Sequence, residues 1–120
     1  MKFIKITILF TLTIITYYSL QIPDKLSIPT NDKVGHFIAY TTLSLQVFLL
    51  CKIAKERILG VILIISYGVL MEFIQGFVPG REPSFYDMIA NSSGTFFSLV
   101  IIYFFQNNIR SILRKIKIID

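Results

Sequence analysis

Charge is scarce in this chain and acidic charge scarcest, with seven Asp and Glu against twelve Lys and Arg over 120 residues. Charged residues make up 16% of it, where an average soluble domain carries about 25%. There is no tryptophan, and Cys51 is the sole cysteine. One cysteine closes no internal disulfide, which excludes a disulfide-stapled secreted domain, and no CxxC or Cys/His spacing offers a metal site. No internal repeat, low-complexity tract or linker interrupts the chain. No alanine occurs before Ala39, so the basic, apolar start MKFIKITILF lacks the small residues that signal peptidase needs; an uncleaved first span is expected.

What the chain has in place of charge is apolar length. Hydrophobic residues reach 54%, and mean hydropathy is +0.70. Ile6 to Pro23, Val34 to Cys51 and Met88 to Ile109 are uncharged runs of 18, 18 and 22 residues. A hydrocarbon core about 30 Å thick needs roughly 20 apolar residues in a helix. A soluble domain of this size cannot hide three such segments, so a soluble enzyme and a disordered chain are both excluded. A further span is expected from Ile58 to Val78, although Glu72 interrupts it. Its thirteen Leu, Ile, Val and Phe residues supply about 4–8 kcal/mol towards insertion, against at most ~3.5 kcal/mol for a central acid.

The expected architecture is therefore all-α, a single domain over 1–120 with four transmembrane helices at about 3–22, 34–51, 58–78 and 88–109. Short connections make neighbouring helices antiparallel. Nine Lys and Arg lie at the N-terminus, in the middle loop and in the tail; Lys25, Lys33 and Arg81 lie on the other side. The positive-inside rule then puts both termini in the cytoplasm, in an integral cytoplasmic (inner) membrane protein with a basic cytoplasmic tail at 110–120. That tail is expected to lie amphipathically on the membrane surface. The net charge of +5 is assigned to anionic lipid and topology, not to nucleic acid.

Acidic and amide residues follow the opposite distribution. Helix two opens with Asp32, Lys33 and His36; helix three ends with Glu72 and Gln75; helix four carries Asp87, Asn91, Gly94 and Ser98 within a stripe about 60° wide. Between helices three and four, Pro79, Gly80 and Pro83 make a tight return bearing Arg81. Polar groups in a membrane face one another or water. Lys33, His36, Glu72, Gln75, Arg81, Asp87 and Asn91 are thus expected to share one outer-leaflet cleft, with Gly68, Gly76 and Gly94 allowing close helix approach. Structural roles compete for the same residues. Asp32 can cap helix two, and Ser84-x-x-Asp87 reads as a capping box for helix four. Glu72 can pair with Arg81 or Lys33, and Asn91 with Gln75. Tyr17, Tyr18, Tyr40, Phe85 and Tyr86 read as interface anchors. No cofactor and no metal is expected.

This constellation resembles the VanZ-like family of small bacterial membrane proteins. The carrying residues are Asp32-Lys33-x-x-His36-Phe37, Glu72-x-x-Gln75, Pro79-Gly80-Arg81 and Ser84-x-x-Asp87-x-x-x-Asn91-x-x-Gly94, spread from about Ile6 to Tyr103. The family's namesake is associated with teicoplanin resistance. The resemblance implies a cell-envelope role on the outer face, and it supplies no reaction.

Three functions fit the residues. A binding protein would use Lys33, His36 and Arg81 to hold a phosphate or carboxylate of an envelope lipid or peptidoglycan precursor, with Asp32, Glu72, Gln75, Asp87 and Asn91 orienting them. An intramembrane hydrolase or transferase would use His36 as acid or base, with Glu72 or Asp87 as partner. A small dimeric transporter would need an acid inside its first span, and there is none. The sequence leaves the oligomeric state open, a dimer included.

Overall fold

The computed structural model describes residues 1–21 and 32–119, with Asp32 placed by its backbone alone. The expected span end at Ile22, the loop charges Asp24 and Lys25, the Asp32 side chain and Asp120 lie outside the described residues. Four helices follow in order: α1 (Lys2–Leu20), α2 (Asp32–Leu50), α3 (Ala54–Gln75) and α4 (Phe85–Lys115).

The helices that must sit in hydrocarbon keep their hydroxyls inside the backbone. Thr7, Thr11 and Thr13 of α1 donate to the carbonyls of Ile4, Thr7 and Leu9 at 2.8–2.9 Å, so an apolar medium sees no free O–H from them. α3 opens where the Glu56 carboxylate accepts the Lys52 and Ile53 N–H groups, and it stops at Gly76. Val78-Pro79-Gly80-Arg81 then forms a β-turn, closed by an Arg81 N–H to Val78 carbonyl bond of 3.1 Å. Gly80 takes φ 79°, the value that a type II turn demands at its third position. The third span therefore ends at Gln75, three residues before the expected Val78.

Three helices, α1, α3 and α4, are long and apolar enough to cross a membrane. α2 falls outside that group, although a membrane span was expected there. Lys33, His36 and Gln46 lower its hydropathy, and the packing shows where such a helix fits. α2 contacts α1, α3 and α4, while α1 and α4 do not touch among the described residues. Beyond Ile38, α2 exposes no large apolar side chain, so its surface is matched to protein rather than to lipid. The other three helices show Phe10, Leu63, Phe96 and Phe104 outward, as lipid-facing helices do. Consecutive helices run antiparallel, Gly60 of α3 facing Val47 and Phe48 of α2 and Gly68 facing Tyr40. Alternate helices therefore run parallel, the α1 end meeting Arg81 after α3 and the α2 end meeting Arg110 of α4.

The closest seam runs between α2 and α4. Ser98 Oγ donates to the Thr41 carbonyl at 2.8 Å, Ser44 Oγ donates to Thr95 Oγ1 at 3.2 Å, and all four residues belong to the interface. Gly94 makes this approach possible: a Cβ there would sit 2.5 Å from the Phe37 carbonyl oxygen. At Gly68 an added Cβ would meet Asn91 and Tyr40 side chains at 3.2 Å, and at Gly60, not anticipated from sequence, Val47 at 3.2 Å. Gly76 instead faces its own turn and Pro83, so it serves the helix end more than a helix crossing.

One further expectation is corrected, and one element is longer than its expected span. α4 continues through Arg110 and Arg114 to Lys115, because no Pro or Gly breaks its hydrogen bonding after Ile109. It ends in a Schellman motif, with Lys117 at φ 58° and Ile118 N–H on the Leu113 carbonyl at 2.9 Å. Tyr40 is no interface anchor; it is 1% exposed, in a core cluster with Ile15, Leu43 and Ile64.

Gly94→Ala forces backbone against backbone and should cost about 1–3 kcal/mol, the usual penalty of overpacking. Gly35→Ala meets nothing within 4 Å and should be neutral, or stabilising by up to ~1 kcal/mol through helix propensity. Thermal unfolding in one detergent, comparing the two variants with wild type, checks both.

Candidate functional site

The polar cluster forms at the end of the bundle where α1 and α3 finish and α2 and α4 begin. Its organising bond crosses the α3–α4 turn. Ser84 is the N-cap of α4, and its hydroxyl receives the Asp87 N–H at 3.4 Å, the first half of the expected capping box. The second half, a return bond from Asp87 to the Ser84 N–H, is absent. That N–H goes to Glu72 Oε2 of α3 at 2.9 Å. Glu72 is 1% exposed, so a carboxylate that is costly to bury is satisfied by a helix N-terminus, where negative charge is favoured.

Asp87 is thereby released from capping and turns towards α2. Its Oδ2 lies 3.7 Å from His36 Nε2, and its Oδ1 lies 3.8 Å from Lys33 Nζ. His36 Nδ1 is 2.8 Å from Asn91 Oδ1. An amide oxygen can only accept, so Nδ1 carries a proton and donates to it, which turns Nε2 towards the Asp87 carboxylate. Asn91 is itself buried, and its backbone carbonyl accepts from Thr95 Oγ1 at 3.1 Å. The expected alternatives for these residues resolve accordingly: Asn91 bonds His36 rather than Gln75, and Lys33 faces Asp87 rather than Glu72.

Arg81 does not join that cluster. Its Nε donates to the Gln21 carbonyl at 2.6 Å and its Nη2 to the Tyr18 carbonyl at 3.0 Å, closing the C-terminus of α1. Arg110 does the same for α2, through the carbonyls of Leu49 and Cys51 at 3.0 and 3.2 Å. Each arginine meets carbonyl groups that a helix end leaves without partners and that lipid cannot serve.

A cleft of about 340 Å³ opens beside the cluster, between α1 and α2. Ile14, Ile15 and Ala39 give it apolar walls, and His36, Gln75 and Arg81 line it as polar groups. Of the expected site residues, His36, Glu72, Asp87, Asn91 and Lys33 come together, Gln75 and Arg81 reach the cleft, and Asp32 cannot be placed by its side chain. Sequence reading missed Tyr40 beneath the site and the Ser84 backbone N–H. A tyrosine at that spacing reads equally well as an anchor, and a backbone donor has no sequence signature.

A multi-pass membrane protein with one polar end is thus the class that fold and site define. The family model described as VanZ/LLP1 matches residues 2–106, and the chain belongs to that family. It is similar to an uncharacterized protein of Schizosaccharomyces pombe, 26% identical over 100 residues, which cover 81% of this chain. The chain spans 62% of the length of that relative. No solved structure matches the chain.

Glu72→Ala should leave the Ser84 N–H without an acceptor and destabilise the fold by about 1–3 kcal/mol, the cost of a buried donor left unsatisfied. Hydrogen exchange in detergent micelles should show the loss of protection starting at the first turn of α4, with the Arg110 end unchanged.

Proposed function

We propose that this protein binds the anionic headgroup of an envelope lipid, or of a lipid-linked peptidoglycan precursor, in the cleft between α1 and α2. The observation that carries the reading is the cleft's two-part lining: apolar Ile14, Ile15 and Ala39 suit an acyl or prenyl chain, and His36, Gln75 and Arg81 suit a phosphate or carboxylate. Arg81 adds positive potential even while its donors hold α1, and Lys33, with 54% of its side chain exposed, is the cation best able to reach a ligand. The Lys and Arg distribution supports cytoplasmic termini with four spans in the inner membrane, which puts the cleft in the outer leaflet. A change in teicoplanin susceptibility would be a consequence of occupying that headgroup.

One observation favours a second reading. His36 Nε2 lies 3.7 Å from Asp87 Oδ2, a pair that would become an acid–base group with its carboxylate partner on a small closure, which fits a hydrolase or transferase acting on a lipid-linked phosphate or amide.

Native mass spectrometry of protein purified from membranes tests both, using added polyprenyl phosphate and anionic phospholipid as probes. Wild type should retain one lipid per chain, and Lys33→Gln should weaken retention about fivefold, the scale of one exposed ion pair. Equal retention by the variant, or none by wild type, overturns the headgroup reading. Turnover of the probe, abolished by His36→Ala at unchanged folded yield, would install the enzyme reading in its place. Topology has its own check: Glu82→Cys should react with a membrane-impermeant maleimide in intact cells, and Lys55→Cys should react only after lysis.

A further inference from the structure

We propose that His36, Glu72 and Asp87 form a divalent-cation site. One ligand atom from each, an imidazole nitrogen and two carboxylate oxygens, lies within 4.8 Å of the others. Three atoms at that limit surround a centre about 2.8 Å away, and Zn–N and Zn–O bonds are about 2.0–2.2 Å long. Sub-ångström rotamer adjustments therefore close the site without moving a helix. The one separation fixed closely, 3.7 Å from His36 Nε2 to Asp87 Oδ2, is near the ~3.4 Å expected for two ligands on a tetrahedral centre.

Two further observations point the same way. His36 Nδ1 donates to Asn91 Oδ1, which fixes the ring with Nε2 turned to Asp87 Oδ2. An imidazole nitrogen and a carboxylate oxygen held side by side are a donor pair that a divalent ion can share. A metal-ligating histidine characteristically donates its other ring N–H to an oxygen in this way. Second, Asp87 Oδ1 is fully buried and accepts no hydrogen bond, on a side chain nine-tenths buried; the Lys33 ammonium at 3.8 Å stands beyond hydrogen-bond reach. That oxygen is an unused acceptor on a buried carboxylate, which a cation would satisfy. A divalent ion balances both acids, and that balance matters most at low dielectric.

The donor set, one borderline nitrogen with two hard oxygens, suits Zn²⁺ or Mn²⁺ rather than a thiophilic ion. Three protein ligands leave further coordination positions open, as in sites that take up a water or an anionic ligand. These ligands come from three helices, which explains why linear spacing gave no metal motif and none was expected. The proposal stands apart from the headgroup reading, because the metal alone is the probe.

The test uses the full chain in detergent, stripped with EDTA and titrated with Zn²⁺ by calorimetry and with Mn²⁺ by electron paramagnetic resonance. One saturable ion per chain is expected. Asp87→Asn should weaken it at least 100-fold, and Asn91→Ala, which frees the imidazole, by 10–100-fold. Lys33→Gln should tighten it several-fold by removing a competing charge, the opposite of its effect on lipid retention. Glu82→Gln, exposed at the same end, should change nothing. Where a variant folds poorly, thermal unfolding of wild type supplies the second readout: its midpoint should rise with added ion, because ligand binds only the folded state. Non-saturable binding, or equal binding by Asp87→Asn, overturns the site. So does an NMR titration in which a proton alone, with EDTA present, holds His36 charged against Asp87.

Discussion

Glu72 accepting the Ser84 backbone N–H is the bond on which the polar end of this molecule depends. The first N–H groups of α4 cannot turn to water when the surrounding medium is lipid. The local solution was at hand, since Asp87 stands three residues after the N-cap. Had Asp87 taken it, its carboxylate would have been spent on its own helix. A carboxylate supplied from α3 removes that demand. Asp87 is then free to face His36 and Lys33 on α2, and α3 and α4 are tied together across their turn by the same bond.

The same constraint explains the arginines. Helix C-termini present carbonyls that lipid cannot satisfy, and Arg81 and Arg110 reach across from other elements to the ends of α1 and α2. Residues that a charge count treats as topology markers are also the covalent chain's means of fastening helix ends. Helix α1, which meets α2 and α3 but not α4, is held at its end by the α3–α4 turn through Arg81. The type II turn at Val78–Arg81, with its glycine at positive φ, is what starts Arg81 in that direction.

α2 is the element that sequence reading and structure weigh differently. By hydropathy it is the least membrane-like of the four, with Lys33, His36 and Gln46 in its length. It is also the helix most enclosed by its neighbours, and Gly94 lets α4 come within reach of its backbone. An enclosed helix needs no lipid-facing surface, and it can carry the polar side chains that a site requires. The location of the chemistry and the weakness of the hydropathy signal have one cause.

The apolar runs, the four helices and their antiparallel order were legible in the sequence, because lipid imposes long uncharged segments and short loops impose direction. The residues of the site were legible for a related reason: polar side chains within a span are costly and therefore conspicuous. Their partners were not. Whether Asp87 caps α4 or faces His36 depends on Glu72, fifteen positions earlier; whether Tyr40 anchors at the interface or fills the core depends on how α1 and α3 close over α2. Arg81 illustrates the same limit, since its spacing fits an anion site and its geometry makes it the cap of α1. Composition and periodicity report the cost of putting a residue in the membrane. Which partner repays that cost is a matter of distances between helices, and only the packed bundle fixes those.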